Sequence, residues 1–234
     1  DRRQNVITAA LAEALVERIA QIRADRDIRG LVLMSNKPGS FLAGADIALF
    51  DGCTQALAAE QMVRGVQAGF AGFATLKIPV VAAVEGICMG GGLELALVCD
   101  ARVAADTPAT RFAMPEVRLG LLPAAGGTQR LPRLVGIGES LDLMLTGRTL
   151  SPVQARTMGL IDERVPADEL LDTAIARARQ QAKRDLLIHG SWRRTLQTRV
   201  SHGRAGMARL ALEDNAPGRH LLFAQARTRS RARS

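Results

Sequence analysis

The run Pro79-Val-Val-Ala-Ala-Val84 carries no charge, and after five intervening residues it is followed by three glycines, Gly90, Gly91 and Gly92, and then by Leu93 to Val98. This stretch constrains the fold more than any other. A short β-branched run without polar alternation reads as a strand buried on both faces, the habit of parallel sheets. Parallel strands need crossover helices, so the expectation is an α/β fold in which a glycine turn feeds a helix over Gly91 to Val98.

The rest of the chain agrees. Apolar residues at Val6, Ala10, Leu11, Ala14, Leu15, Ile19 and Ile22 recur at helical spacing, and Arg29-Gly-Leu-Val-Leu-Met-Ser35 reads as a second buried strand. Gly39 to Asp46 reads as a loop and Gln55 to Leu76 as a helix weakened by Gly65, Gly69 and Gly72. Strands are expected over Ala101 to Ala105 and Thr110 to Ala113. The pattern from Ala124 onward is helical apart from a short strand near Leu160 to Val165. The order is αβαβαββ with a helical finish, and no repeat of 20 to 50 residues is present.

With 47% hydrophobic residues among 234, the chain can bury a substantial core. No apolar run approaches the roughly 18 residues of a membrane span, and the opening Asp1-Arg2-Arg3-Gln4-Asn5 has no apolar signal core. No membrane association is expected. The net charge of +8 is unevenly spread: residues 1–176 hold 17 Lys and Arg against 20 Asp and Glu, whereas residues 177–234 hold 14 against 3. The excess therefore belongs to a C-terminal segment, whose end, Arg227-Thr-Arg-Ser-Arg-Ala-Arg-Ser234, alternates Arg without an aromatic to stack bases, and Tyr is absent from the whole chain, so nucleic acid is not the expected partner. Cys53, Cys88 and Cys99 make an odd count without CxxC spacing, which points to buried thiols in a reducing compartment. His189, His202 and His220 lie far from every other reactive residue, so neither a His triad nor a metal site is expected.

Two loops carry the chemistry. The glycines at 90–92 leave the first amides of a helix open, a place that holds negative charge. A phosphate is the wrong guest, because no Lys-Ser or Lys-Thr follows and Leu93-Glu94 sets an acid there. The loop Phe41-Leu-Ala43-Gly44-Ala45-Asp46-Ile47 has the same small-residue character, with Asp46 placed to cap the next turn. Two such loops can aim two N–H donors at one oxygen and stabilise an enolate or a tetrahedral anion. Glu94, framed by Leu93, Leu95, Ala96 and Leu97, and Glu116, after Met114-Pro115, are carboxyls in apolar surroundings, where a raised pKa suits acid–base work. The alternative for each is solvent exposure or pairing with Arg111 or Arg118. Gly136-Ile-Gly138-Glu-Ser-Leu141 imitates a dinucleotide fingerprint, but its third glycine is Leu and no convincing strand precedes it, so NAD is not expected there.

The segments Phe41 to Ile47, Gly86-Ile-Cys-Met-Gly-Gly-Gly-Leu-Glu-Leu-Ala96, Cys99-Asp-Ala-Arg102, and Pro115-Glu116 through Gly120-Leu-Leu-Pro-Ala-Ala-Gly126-Gly-Thr-Gln-Arg-Leu131 closely resemble the crotonase superfamily of enoyl-CoA hydratases and isomerases. The resemblance runs from about Asn5 to Pro166 and is nearest to the N-terminal hydratase part of multifunctional fatty-acid oxidation alpha subunits. It implies a crotonase-like spiral of β-β-α units with C-terminal helices. By position it implies an oxyanion hole from the N–H groups of Ala45 and Gly91, and catalytic roles for Glu94 and Glu116. It places Ala43, Asp46, Ile47, Gly90, Pro115 and Gly126 on the substrate path. Having both acids implies hydration of trans-2-enoyl-CoA, with Δ3,Δ2-enoyl-CoA isomerisation as the alternative and a non-catalytic RNA-binding or scaffold role as a reading from another class. No metal or cofactor is implied for hydration. Ala48 stands where stand-alone members often carry Lys, which moves CoA affinity to other basic groups or to backbone.

The expected organisation is a hydratase/isomerase core over 1–184, its first strands missing, and a basic helical segment over 185–234 leading toward an absent dehydrogenase domain that would use NAD. The expected partners are acyl-CoA and either further copies of the chain or, in the parent protein, the dehydrogenase domain and a thiolase subunit. The expected compartment is the bacterial cytoplasm.

Overall fold

The computed structural model describes residues 4–46, 48 and 55–180. Ile47, Cys53, the three histidines and the basic segment over 185–234 lie outside the described residues, and with them the expectations that fall there.

Helix α1 (Ala9–Ala24) starts later than apolar spacing suggests, because Thr8 caps it by accepting from the Leu11 N–H. Val6 and Ile7 are instead extended against the first small-residue loop. Strands β1 (Leu31–Leu33) and β2 (Ser40–Leu42) lead to α2 (Ala56–Ala74); β3 (Val80–Val84) and β4 (Ile87–Met89) lead to α3 (Gly91–Val98). Strands β5 (Ala101–Ala105) and β6 (Arg111–Ala113) lead to a 3-10 turn over Glu116–Leu119, followed by α4 (Gly127–Val135), α5 (Ile137–Thr146) and α6 (Pro152–Met158). Strand β7 (Glu163–Val165) and α7 (Leu170–Gln180) complete the described part.

Each strand pair divides itself between two parallel sheets. One sheet has the order β1-β3-β5-β7 and the other β2-β4-β6. Three successive β-β units thus stack like turns of a spiral, in agreement with the expected architecture. Val80 to Val84 are all buried at the centre of the larger sheet, as the unbroken apolar run requires.

Two elements correct the sequence reading. Gly39 to Asp46 is not all loop, since Ser40–Leu42 is a strand, and Ile87–Met89 is a strand where only a turn was expected. Both are three residues long, too short for a periodic signal, and are defined by pairing with one another and with Arg111–Ala113. The turn between β3 and β4 passes so close to the first unit that a Cβ on Gly86, at φ +78, would collide with the Gly39 carbonyl group. The dinucleotide-like Gly136-Ile-Gly138 is the joint between α4 and α5 and follows no strand. Arg102, only 2% exposed, ties β5 to the end of α3 through the carbonyls of Ala96 and Cys99 and to the chain ahead of β7 through Asp162 and the Leu160 carbonyl. Cys88 and Cys99 are free thiols buried in the core. Among the described residues, no helix is long and apolar enough to cross a membrane, and no three His, Cys, Asp or Glu gather as a metal site.

Candidate active site

The strands of the smaller sheet are parallel, so their C-terminal ends lie on one edge, where open α/β sheets present functional groups. Each contributes something different. The end of β2 leads to Ala45, the end of β4 leads to Gly91 and Glu94 at the start of α3, and the end of β6 leads to Glu116.

The loop after β2 is pinned by the extended residues ahead of α1. Ala43 N–H donates to the Asn5 carbonyl at 2.8 Å, Ile7 N–H to Gly44 at 2.8 Å, and Asp46 N–H to Ile7 at 3.0 Å. Between these bonds, the Ala45 amide has no backbone acceptor among the described residues. The Gly91 amide is in the same state, because it opens α3, whose first intrahelical donor is Glu94, bonded to the Gly90 carbonyl at 2.9 Å. Backbone meets backbone here: a Cβ on Gly91 would stand 3.8 Å from the Ala45 nitrogen, and one on Gly44 would stand 3.8 Å from the Gly91 nitrogen. Glycine is required at Gly44 and Gly90 by φ of +103 and +52 as well as by this approach. Two free amides therefore sit side by side with no side chain between them.

Ala43 and Gly90, both expected on the substrate path, use their amides elsewhere; Gly90 N–H donates to Ala113 at 3.0 Å. Asp46 accepts from the Ala48 N–H at 3.2 Å and so closes the local turn. Pro115 caps the 3-10 turn that carries Glu116, and Gly126 adopts φ +107 at the start of α4.

The two carboxyls differ in their surroundings. Glu94 is only 3% exposed and accepts the Gly127 N–H at 2.7 Å through Oε1. Burial raises its pKa, while the Gly127 and Ala125 amides and the Arg130 charge oppose that rise. Glu116 has both carboxyl oxygens buried without a hydrogen-bond partner among the described residues. Burial, with the Glu94 charge adding to it, pushes Glu116 up to about 7 against the partial relief of its own N–H. Neither arginine considered from sequence pairs with it: Arg118 donates to Gly147 O at 3.0 Å and Arg111 to Thr110 O at 2.9 Å. A Cβ on Gly90 would stand 3.2 Å from Glu116 Oε1, so this carboxyl lies over the glycine turn that carries the free Gly91 amide.

Sequence reasoning missed the holder of Glu94. The Gly126-Gly127 pair ahead of α4 repeats the logic of Gly90 to Gly92, with an open helix amide presented to an anion, and that repetition was the available signal.

A parallel two-sheet spiral with two adjacent free amides and two buried carboxyls defines an enzyme fold suited to an anionic oxygen and proton transfer. The enoyl-CoA hydratase/isomerase family matches residues 1–215, and the chain belongs to it. The fatty acid oxidation complex subunit alpha of Shewanella amazonensis is 52% identical over 174 residues, which are 74% of this chain and 25% of that protein. The chain thus spans about a quarter of the length of the curated relatives it matches. The crystal structure of enoyl-CoA hydratase from Bacillus anthracis superposes with a TM-score of 0.70 at 30% identity, over 95% of this chain and 81% of that one. Human mitochondrial delta3-delta2-enoyl-CoA isomerase, at 23% identity and TM-score 0.70 over 93% and 82% of the two chains, shares the fold.

Proposed function

We propose that this chain adds water across the double bond of trans-2-enoyl-CoA to give 3-hydroxyacyl-CoA, as the hydratase unit of a multifunctional fatty-acid oxidation protein in the bacterial cytoplasm. The observation that carries this reading is the contrast between the two carboxyls beside the free amides. Glu94 has hydrogen-bond donors, which favour its charged form, whereas Glu116 has none among the described residues and lies next to the Glu94 charge, which favours its protonated form. Paired acids whose surroundings separate their protonation states serve as base and acid.

In this mechanism the thioester oxygen accepts the amides of Ala45 and Gly91. Water held by Glu94 attacks C3 and gives a proton to its carboxylate; the C2–C3 π electrons move toward the carbonyl, and the enolate oxygen gathers charge. Each oriented donor on such an oxygen is typically worth about 3 to 4 kcal/mol. Glu116 then delivers its proton to C2, the carbonyl re-forms, and the two carboxyls have exchanged protonation states. Dehydration is the same path reversed. Ala43, Asp46, Gly90, Pro115 and Gly126 are assigned to the substrate path around these groups, and Ile47 is assigned to that path by the resemblance alone.

Isomerisation of a 3-enoyl thioester would need only one carboxyl to carry a proton between C4 and C2, and Glu116 would serve. The buried and hydrogen-bonded Glu94 favours hydration. The test follows the absorbance of the conjugated enoyl thioester: purified chain with trans-2-enoyl-CoA bleaches it under hydration, whereas conversion of the 3-enoyl isomer with no loss from the 2-enoyl isomer establishes the isomerase. Supplying NAD with 3-hydroxyacyl-CoA should yield no NADH, since the redox step is assigned to another part of the parent protein.

A further inference from the structure

We infer that Arg130 is a positioning residue for Glu94: its guanidinium fixes the Ala125-to-Gly127 turn whose amide holds that carboxylate. The inference rests on the reading of Glu94 as the base.

Three observations carry it. Arg130 Nη1 donates to the Ala125 carbonyl at 3.0 Å, five residues back along its own chain. The guanidinium lies over Gly126, where an added Cβ would collide with Nη1, so the glycine, in its αL conformation, is what leaves Arg130 room over the turn. The next residue, Gly127, sends its N–H to Glu94 Oε1 at 2.7 Å, and a Cβ there would come within 2.9 Å of the same oxygen. The first turn of α4 is fastened to the same point, with the Gln129 and Arg130 amides donating to the Gly126 carbonyl at 3.0 and 2.9 Å. The Arg130 side chain thus braces, together with these amides, the glycine turn whose N–H faces Glu94.

The charge acts in the same direction. Arg130 lowers the Glu94 pKa, and Glu94 in turn supports the partly desolvated guanidinium. The other titratable group facing Glu94 is Glu116, on the 3-10 turn, which is protonated on the acid side of about 7 and carries no charge there, while Arg133 of α4 acts on Arg130. Neighbouring β2 and β4 contribute no charged side chain, and Glu60 and Arg64 of α2 pair with each other in solvent. Loss of Arg130 therefore leaves burial opposed by the backbone amides alone, with less to keep Glu94 ionised. Because hydration needs the ionised form, activity would begin to fail at a higher pH on the acid side.

The experiment compares Arg130→Met and Arg130→Lys with the unmodified chain and with Glu94→Gln. Steady-state hydration is measured across pH, with thermal melting alongside. Arg130→Met is expected to lower kcat roughly tenfold or more with KM within about twofold, and to move the acid limb of kcat upward. Arg130→Lys is expected to return the limb toward its original position while recovering only part of kcat, because an ammonium restores charge but not the reach of the guanidinium fork. An unshifted acid limb in Arg130→Met, or a loss confined to KM, overturns the inference. If Arg130→Met melts too low to assay, Arg130→Lys decides by itself: a reduced kcat at unchanged KM supports the positioning role, and full activity contradicts it. Full activity in Glu94→Gln instead removes the underlying reading of Glu94, an outcome distinct from failure of the Arg130 arm.

Discussion

Gly127 presents its backbone N–H to Glu94 Oε1 at 2.7 Å, and the space for a Cβ on Gly127 is already occupied by that carboxyl and by Pro123. The acid cannot easily retreat, since it is 3% exposed in an all-apolar helix face. Gly127→Ala should therefore displace the carboxylate or the turn by a few tenths of an ångström and lower kcat by about 10-fold or more at nearly unchanged KM. Unaltered kcat in a folded Gly127→Ala chain would show that the position of Glu94 is not critical.

Glu94 and Glu116 should behave as one unit. Glu94→Gln and Glu116→Gln are each expected to reduce hydration by about 10² or more, and the double variant to lose much less than the product of the two. Rates of loss of the enoyl chromophore check this, and strictly multiplicative losses would mean that the two act in separate steps.

Glu116 also makes the fold pH-sensitive. Its folded value of about 7 lies above the ordinary 4.5, so the folded chain holds a proton that the unfolded chain releases. That stabilising proton is fully present below about 4.5 and is lost as pH rises to about 7. Glu116→Gln mimics the protonated form, so its melting temperature should gain on that of the unmodified chain across this interval and stay ahead above it. Hydration by the unmodified chain should fall as pH rises through about 7, while the variant's residual rate should lack that limb. A constant difference in melting temperature from pH 4 to pH 8 would contradict the assignment.

The oxyanion donors are backbone, so side-chain changes that spare the amide should be mild. Ala45→Gly is expected to retain most activity. Gly91 is the first residue of α3, a position where proline is compatible with a helix, and Gly91→Pro removes the donor. Because a Cβ there would meet Ile7 Cδ1 at 2.8 Å, Ile7→Val is combined with it to make room. Loss of one donor should cost about 10² to 10³ in kcat. A folded double variant that hydrates normally would place the oxyanion hole elsewhere.

What the sequence made legible follows from how local each signal is. The unbroken run Val80 to Val84 and the glycines before α3 encode strand and turn within a few residues, and both lie where expected. Ser40–Leu42 and Ile87–Met89 are strands only because parallel neighbours complete them, so no window along the chain reveals them. Of the site, the carboxyls, their apolar frames and the two loops were readable. The Gly127 amide on Glu94 spans 33 residues and depends on α4 packing against α3, which local sequence does not record. Whether Glu116 would pair with Arg111 or Arg118 was likewise a tertiary outcome, decided by the Thr110 and Gly147 carbonyls that engage those guanidinium groups.

Hydration by the carboxyl pair leaves two isotopic labels in the product that no isomerisation can leave. Purified chain is incubated with trans-2-enoyl-CoA in water enriched in both ¹⁸O and deuterium, and the thioester product is analysed by mass spectrometry and NMR. The expected product is 3-hydroxyacyl-CoA with one ¹⁸O at C3 and one deuterium at C2, with neither label entering at comparable rates in Glu94→Gln or Glu116→Gln. Movement of the double bond from C2–C3 to C3–C4 with no ¹⁸O in the product would contradict hydration.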